Sequence, residues 1–219
     1  NSLISFHDHH LSHQLYAEAM CDWNQFLSLS YDGGGEEFSS VLTAVNNGVR
    51  TNISCHKWPN SLGHFYSTFT GFLGFKMLEG EYKMMGLAPY GNARFVDLIL
   101  ENILILKKNG TYELNTDICD YHLALQGKFN KRMIAMFGPK RKSEDKPSKN
   151  HIDLASSVQY VFELAQQNLF KSIDNSKYSY KKLVLSGGCA LNVTANGKLL
   201  DKKIFHEVII PPAPHDAGC

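Results

Sequence analysis

The sequence predicts an α/β protein, and three observations support this fold class. Residues 26–31 and 39–45 alternate apolar and polar side chains over strand-like lengths, with a glycine-rich turn between them. Residues 180–185 are predicted to form a buried strand, which is followed by a Ser-Gly-Gly turn and a helix-like stretch over 190–200. After Asp153 the apolar residues recur at helical spacing, and Asp153 itself is expected to cap this helix. Strands and helices that alternate in this way are typical of α/β folds.

Length and charge exclude some classes of partner. The chain has 219 residues and a formal net charge of +1 at pH 7, which is enough length for one large domain or for two lobes that share a cleft. A charge near zero gives no general attraction to nucleic acids or anionic membranes. The basic residues between positions 140 and 149 are interrupted by Glu144 and Asp145. We expect them to form a solvated loop, with a phosphate-binding patch as the alternative.

The cysteine pattern predicts a protein with reduced thiols. The five cysteines are odd in number, and no two are spaced as Cys-x-x-Cys, which argues against a disulfide framework. No apolar run approaches the roughly 20 residues that a membrane-spanning helix needs. We therefore expect a soluble, cytoplasmic protein that binds neither membranes nor nucleic acid.

Residues 8–20 are predicted to form a helix that carries the first functional motif. Asp8 is suited to cap its N-terminus, and holding an imidazole tautomer is the alternative role for this carboxylate. Within the helix, His9 and His13 lie one turn apart on one face, with His10 beside them. The apolar residues that support the helix are Leu11, Leu15, Ala19 and Met20.

The pair His9 and His13 has the spacing of a metal-binding motif. Two neutral imidazoles at positions i and i+4 converge on one ion, and Asp32, at the end of the strand 26–31, is placed to complete the set. Such a set is typical of iron, manganese or zinc. The alternative is a surface pair without a ligand, because the chain contains ten histidines and a single His-x-x-x-His motif is weakly specific.

Three consecutive glycines follow Asp32 and permit two interpretations. Their amides, including that of Gly34, can approach an anionic cofactor closely because no side chain intervenes. A plain flexible hairpin is the alternative. The sequence Asn-Asn-Gly at 46–48 predicts another tight turn before a third strand over 49–54. Strands joined by such turns are expected to form the antiparallel part of a mixed sheet.

The pattern in the middle of the chain predicts helices and strands but few functional residues. Residues 61–78 are predicted to form one or two helices broken by glycines, with an aromatic stripe in the core. His64 on this stripe is expected to be buried, with a place in a ligand cleft as the alternative. Residues 95–106 are predicted to be a helix followed by a strand, with a hairpin turn at 107–110.

Lys83 lies in a stretch, residues 80–91, that contains three glycines and a proline. Its neighbours Met84, Met85 and Leu87 are apolar, so open solvent is a poor environment for this segment. The amine either reaches the surface along its aliphatic stem or provides a positive charge against a phosphate or carbamoyl oxygen.

The turn Ser186-Gly187-Gly188 lies between a predicted strand and a predicted helix. This arrangement points backbone amides and a helix N-terminus at phosphate groups, and ordinary strand–helix packing is the alternative. Further along, prolines at 211, 212 and 214 stiffen the approach to Asp216.

Four motifs in this order resemble those of the O-carbamoyltransferase family, which includes the nodulation-factor and tobramycin carbamoyltransferases. They are the histidine motif HHLSH, the run DGGGE, the stretch EYKMMGLAPYG and the run LVLSGGCALN. The similarity extends from His9 to the sequence PHDAG at 214–218, and EYKMMGLAPYG is its most specific part. The histidine and Ser-Gly-Gly motifs are also similar, more distantly, to the metal- and nucleotide-binding module of the proteins that make threonylcarbamoyladenosine in tRNA.

This resemblance implies a two-lobed module of the actin-like ATPase (ASKHA) class, incomplete at both ends. Residues 1–150 would form the first lobe with a variable insertion, and residues 151–219 the nucleotide-binding second lobe. Members of the family carry further residues before the histidine helix. They also carry a C-terminal domain that makes carbamoyladenylate, which is absent here.

The resemblance also implies a reaction. A carbamoyl group would pass from carbamoyladenylate, made from carbamoyl phosphate and ATP, to a hydroxyl of a small-molecule or glycan acceptor. Iron(II) is the expected metal, with manganese(II) and zinc(II) as alternatives. The residues implied are His9, His13, Asp32 and Asp216 as metal ligands, Gly187 and Gly188 around the adenylate phosphate, Asn192 at the nucleotide, and Lys83 as a positive charge.

More than one residue could act as the general base, and more than one reaction class is consistent with the motifs. A hydroxide on the metal, His10 and His215 are the candidate bases. A metal-dependent kinase or phosphatase of the same superfold, and a nucleotide-binding module without catalysis, are the competing functions. Because the carbamoyladenylate-forming domain is absent, we expect the chain to bind metal and nucleotide without running the full reaction alone.

Overall fold

A computed structural model describes residues 6–173 and 180–218 as a mixed α/β protein. It contains two compact units, one built from the described residues up to Gly63 together with those from Ile173 onward, and one spanning His64–Ser172. These units do not coincide with residues 1–150 and 151–219. The division into family lobes and the actin-like superfold stay predictions.

The first unit is organised around a five-stranded sheet with the strand order β3-β2-β1-β6-β7. Strands β1, β2 and β3 pair in antiparallel fashion, whereas β6 runs parallel to both β1 and β7. The predicted mixed sheet is therefore confirmed. The strands are β1 (Gln25–Tyr31), β2 (Phe38–Asn46), β3 (Val49–Lys57), β6 (Lys182–Ser186) and β7 (Glu207–Ile209).

Two helices belong to this unit. Helix α1 (His9–Glu18) is capped by Asp8, whose carboxylate accepts a hydrogen bond of 2.7 Å from the Leu11 amide. The cap predicted for Asp8 is thus confirmed. Helix α8 (Val193–Asp201) follows a short 3₁₀ turn at Gly188–Leu191, so the predicted helix over 190–200 is divided in two.

The second unit is mostly helical. It contains α2 (Leu62–Phe72) from His64 onward, and its β4–β5 hairpin confirms the turn predicted at 107–110. Buried aromatic rings on α2 confirm the predicted core stripe. The remaining elements are α3 (Glu81–Leu87), α4 (Val96–Asn102), β4 (Leu104–Leu106), β5 (Tyr112–Leu114), α5 (Tyr121–Ala124), α6 (Lys131–Phe137) and α7 (Lys149–Leu169).

Helix α7 begins earlier than predicted. Its N-cap is Ser148, which forms a capping box with His151. Asp153, the predicted cap, lies one turn inside the helix, where it accepts hydrogen bonds from the Asn92 amide and from Arg94 Nε. The predicted cap was wrong because the helix begins one turn earlier, at Lys149, whose amine also pairs with Asp153 at 2.8 Å.

The predicted solvated loop over 140–149 contains one buried side chain. Arg141 is 6% exposed and its Nε donates to the Leu73 carbonyl at 2.5 Å. Its guanidinium also donates to the carbonyls of Ser143 and Asp145 and lies 4.7 Å from the centroid of the Phe75 ring. Arg141 therefore fixes this loop within the second unit, and the prediction of full solvation was wrong for it.

The four described cysteines, Cys21, Cys55, Cys119 and Cys189, are free thiols. Burial raises the pKa of Cys119 to about 12, so this thiol stays protonated at neutral pH. Within the described ranges, no helix combines the length and apolar character required to cross a membrane.

Candidate metal centre

The face of α1 that packs on the sheet is polar. Leu11, Leu15 and Met20, which indicated the helix in the sequence, are all exposed. The predicted helix is confirmed, but its apolar residues do not form its buried face. The buried residues of α1 are His10, His13, Gln14 and Ala17.

Gln14 joins α1 to the sheet through directional contacts. Its Nε2 donates to the carbonyls of Ser28 and Val41, both at 3.0 Å, and so bridges β1 and β2. Its Oε1 accepts from Arg50 of β3 at 2.6 Å. Thr43 contacts both ends of the amide. One side chain therefore fixes the helix against three strands.

His10 has a similar anchoring role. It is buried, with Nδ1 2.8 Å from Ser30 Oγ on β1 and Nε2 2.8 Å from the Phe38 carbonyl on β2. Burial lowers the pKa of His10, and the hydrogen bond with Phe38 partly opposes this shift. Both ring nitrogens thus have partners inside the fold.

Four predicted ligands meet at one point. His13 Nε2 lies 3.0 Å from Asp32 Oδ2 and 3.2 Å from Asp216 Oδ1. His9 Nε2 lies 3.7 and 3.8 Å from the same two oxygens. His13 is buried and Asp216 is largely exposed. All four donor atoms lie within 4.8 Å of one another.

The chemistry of this cluster fits a divalent metal. Two imidazole nitrogens and two carboxylate oxygens form the mixed donor set that iron, manganese and zinc accept in proteins. His9 Nε2 is shielded from solvent, yet it has no hydrogen-bond partner among the described residues. A buried nitrogen that lacks a hydrogen bond is costly, and coordination of an ion would remove that cost.

The electrostatics keep Asp32 in its charged form. Burial alone would raise the pKa of this carboxyl, but hydrogen bonds from His13 and from the amides of Gly33 and Gly188 outweigh burial. The pKa of Asp32 is therefore lowered. A carboxylate is the form that binds metal cations.

The Ser186-Gly187-Gly188 turn forms hydrogen bonds with two segments that carry ligands of this cluster. The Gly188 amide donates to Asp32, and the Gly187 amide donates to the Pro214 carbonyl at 2.7 Å, two residues before Asp216. The turn thus binds the Asp32 carboxylate directly and the backbone that leads to Asp216. In this arrangement the two amides bind protein oxygens, so the phosphate-binding role predicted for them would require them to exchange partners.

Gly187 has a conformation that demands glycine. Its φ is +83°, and a Cβ atom there would lie 2.3 Å from the Tyr31 carbonyl oxygen at the end of β1. The close approach of this turn to β1 therefore depends on the missing side chain.

The other predicted cofactor contacts occupy structural positions. Asn192 caps α8 by accepting from the Ala195 amide at 3.0 Å. Asn196 accepts from the Tyr31 hydroxyl and donates to the Ala190 carbonyl. Gly34 lies in the turn after Asp32, where a Cβ atom would be 3.1 Å from the indole of Trp58. Their contacts with a nucleotide stay predictions.

Lys83 and His215 differ in their relation to the cluster. His215 is half-buried and adjacent to Asp216, and its Nδ1 accepts from the Ala217 amide at 3.3 Å. Lys83 belongs to the second unit and is exposed on α3, whereas Met84 next to it is buried. The expected shielding of Lys83 was wrong because adjacent helical positions point in different directions. Its catalytic role stays a prediction.

Sequence reasoning missed Gln14 and Pro214. Gln14 lies four residues after His10 and one after His13, so the sequence alone indicated a polar stripe on the helix. The contact made by Pro214 is a backbone contact, and no side-chain pattern indicates it.

Comparison with known proteins identifies relatives. The model of the carbamoyltransferase N-terminus family matches residues 1–219. An uncharacterised protein of Synechocystis is 39% identical over 98% of this chain and 35% of its own length. The nodulation protein NolNO of Sinorhizobium fredii is 35% identical over 100% of this chain and 30% of its own. The nodulation protein NolO of Bradyrhizobium diazoefficiens is 31% identical over 97% of this chain and 36% of its own length. The chain spans about a third of each relative's length.

Proposed function

This chain belongs to the carbamoyltransferase family, and we propose that it supplies the metal centre of an enzyme that transfers a carbamoyl group to a hydroxyl. The donor is carbamoyladenylate, made from carbamoyl phosphate and ATP, and the acceptor is a small molecule or a glycan. The observation that carries the proposal is the convergence of four donor atoms within 4.8 Å. Family membership supports the reaction class.

His9, His13, Asp32 and Asp216 would hold a divalent metal, with iron(II) as the first choice. When bound, such an ion supplies Lewis-acid polarisation of a carbamoyl or phosphate oxygen. The two carboxylates offset its charge, and the neutral imidazoles limit the excess of negative charge near an adenylate.

The chain's own residues fix this geometry before any substrate arrives. Gln14 and His10 set the position of α1, and the Gly187–Gly188 turn binds the Asp32 carboxylate and the backbone before Asp216. Preorganised groups of this kind reduce the reorganisation needed during a reaction. Because both nitrogens of His10 bind the sheet, His215 is the better candidate for the general base.

Metal analysis tests the proposal directly. The chain should carry stoichiometric iron, manganese or zinc after anaerobic purification, and the double variant His9→Ala/His13→Ala should carry none. A matched control is His122→Ala/His206→Ala, which removes two exposed imidazoles outside the cluster. Metal that survives in the cluster variant, or that is absent from the unmodified chain, would contradict the metal centre.

Calorimetric titration with AMP and ADP tests the nucleotide part. Binding that weakens when the metal is removed supports a shared site. With ATP and carbamoyl phosphate together, the chain alone should release no phosphate, because we assign formation of carbamoyladenylate to another domain. Phosphate release from ATP without carbamoyl phosphate would instead indicate a kinase or phosphatase.

A further inference from the structure

An exposed tryptophan lies beside the loop that carries a proposed metal ligand. Trp58 directly follows β3 and is 54% exposed. The other tryptophan, Trp23, is partly buried and packs edge-on against Phe26 with ring centroids 6.3 Å apart. The two indoles therefore differ in kind, one belonging to the core and the other presenting a large aromatic surface to solvent.

The backbone around Trp58 is firmly held. Its amide donates to the Glu37 carbonyl at 2.9 Å, and the Asn60 carbonyl accepts from Ser39 Oγ at 2.5 Å. Ser61 Oγ donates to the Asp32 carbonyl at 2.9 Å. The segment after β3 is thus tied to the residue that provides a metal ligand. Exposure of the indole is a property of an ordered loop.

The glycine turn links the indole to the metal cluster. A Cβ atom on Gly34 would lie 3.1 Å from Trp58 Cδ1, and a Cβ atom on Gly35 would lie 3.1 Å from His9 Cδ2. The indole and the imidazole therefore pack against consecutive residues. Because consecutive Cα atoms are about 3.8 Å apart, these two ring atoms are separated by at most about 13 Å. A molecule that lies on the indole would need to extend no further than this to reach His9.

The chain segment beside the indole carries an acidic side chain. Glu36 and Glu37 are both exposed, and Glu36 accepts from the His9 amide at 3.3 Å. Lys57 forms an ion pair of 2.7 Å with Glu37. A neutral or cationic ring with hydroxyl or amino groups would find a hydrogen-bond acceptor.

We propose that Trp58 is the platform on which a sugar ring of the acceptor lies, with Glu36 accepting from one of its polar groups. This inference rests on the proposed function, which requires a hydroxyl-bearing acceptor. The apolar C–H face of a sugar packs on the flat indole, which offers a large area at low cost in conformational entropy. Trp58 would then orient a hydroxyl toward the cluster and select acceptors by ring shape.

Tryptophan fluorescence provides a local readout. The chain has two tryptophans, so Trp23→Phe leaves Trp58 as the single reporter. Titration of this variant with methyl glucoside, glucosamine and cellotriose should give a saturable change in emission with at least one of them. In calorimetry with that sugar, Trp58→Ala should weaken binding about tenfold, whereas Trp58→Phe should keep it within about threefold.

The outcomes separate this inference from the proposed function. Trp58→Ala should keep the metal content and the AMP affinity of the unmodified chain. Unchanged sugar affinity in Trp58→Ala, or no response of Trp58 to any of the three sugars, would overturn the platform and leave the metal centre intact. A response of Trp58 to AMP alone would assign the indole to the nucleotide and also overturn it. Absence of metal from the unmodified chain would refute the proposed function independently.

Discussion

Helices α1 and α7 are attached to their own units by a different balance of contacts. Three of the four buried residues of α1 are polar, and two of them, His10 and Gln14, form hydrogen bonds with strands of the first unit. The long helix α7 also buries polar residues, but it adds an apolar stripe in the second unit. The stripe consists of Leu154, Ala155, Val158, Val161, Phe162, Ala165 and Leu169.

The difference shows what each helix contributes. Apolar contacts are strong but do not depend on direction, so they stabilise a helix without fixing its rotation closely. Hydrogen bonds depend on distance and angle and contribute less net stability. The helix that carries metal ligands is thus held by the more directional contacts. We infer that the contacts of α1 contribute less to the free energy of unfolding than apolar contacts would, but fix the position of the helix more closely.

Removal of a core ring from α7 should have the largest effect on stability. Phe162 is 1% exposed and its ring lies 5.2 Å from that of Tyr66. Phe162→Ala should lower the free energy of unfolding by about 3–5 kcal/mol, measured by urea unfolding with circular dichroism. Tyr160→Ala, at a half-exposed position of the same helix, is the matched control and should change it by less than about 1 kcal/mol. Equal losses in the two variants would show that burial on α7 does not determine its attachment.

Acid should lower the free energy of unfolding through His56, a buried histidine of the first unit. Burial lowers the pKa of His56 on β3 to about 4, below its unfolded value of about 6.5. The unfolded state therefore binds a proton more readily, so stability is complete above pH 6.5 and falls between about pH 6.5 and 4. This single group accounts for up to about 3 kcal/mol. His56→Gln should flatten that part of a stability–pH curve, and a curve unchanged in the variant would exclude His56 as the cause.

Substitution of the central polar residue of α1 should affect both stability and metal binding. Gln14→Leu leaves two strand carbonyls, those of Ser28 and Val41, without the donor they share. We expect a loss of about 1–3 kcal/mol in unfolding free energy and a metal affinity about tenfold weaker, comparable to the loss of a group that orients ligands. Competition with a chromogenic chelator measures the affinity. Gln25→Leu, an exposed glutamine on β1, should leave the affinity unchanged.

Substitution of the two N-cap residues should have the smallest effect on stability, and it compares the two helices at equivalent positions. Asp8 and Ser148 cap α1 and α7 in the same way, each accepting an amide hydrogen bond. Replacement of either by alanine should cost about 1 kcal/mol. Only Asp8→Ala should also weaken metal binding, since fraying at that end displaces His9. Weaker metal binding in Ser148→Ala would remove the distinction between the two helices.

The same contrast explains what could be predicted from sequence. Periodicity identified α7 and its buried face because apolar burial determines that face. For α1 it identified the helix from Leu11 and Leu15, but it did not identify the buried face, which is mostly polar. The hydrogen bonds of Gln14 involve strand carbonyls far along the chain, and an apolar pattern carries no information about them.

The candidate site was predictable in its side chains and not in its backbone. The spacing of His9 and His13 indicated a ligand pair, Asp32 followed from the strand end, and Asp216 from the family resemblance. The Ser-Gly-Gly motif indicated backbone amides that bind phosphate, and that role stays a prediction. Its amides bind Asp32 and the Pro214 carbonyl, because the partner of an amide is set by the tertiary fold.

The ligand order along the chain has a consequence for biosynthesis. His9, His13 and Asp32 leave the ribosome early, but Asp216 and its parallel strands β6 and β7 follow only after the whole second unit has been made. Domains tend to fold as they emerge, yet the first unit cannot close its sheet until its last strands arrive. Metal captured by the nascent chain would be held by three ligands at most. Loading of the complete centre therefore waits until Asp216 has been made.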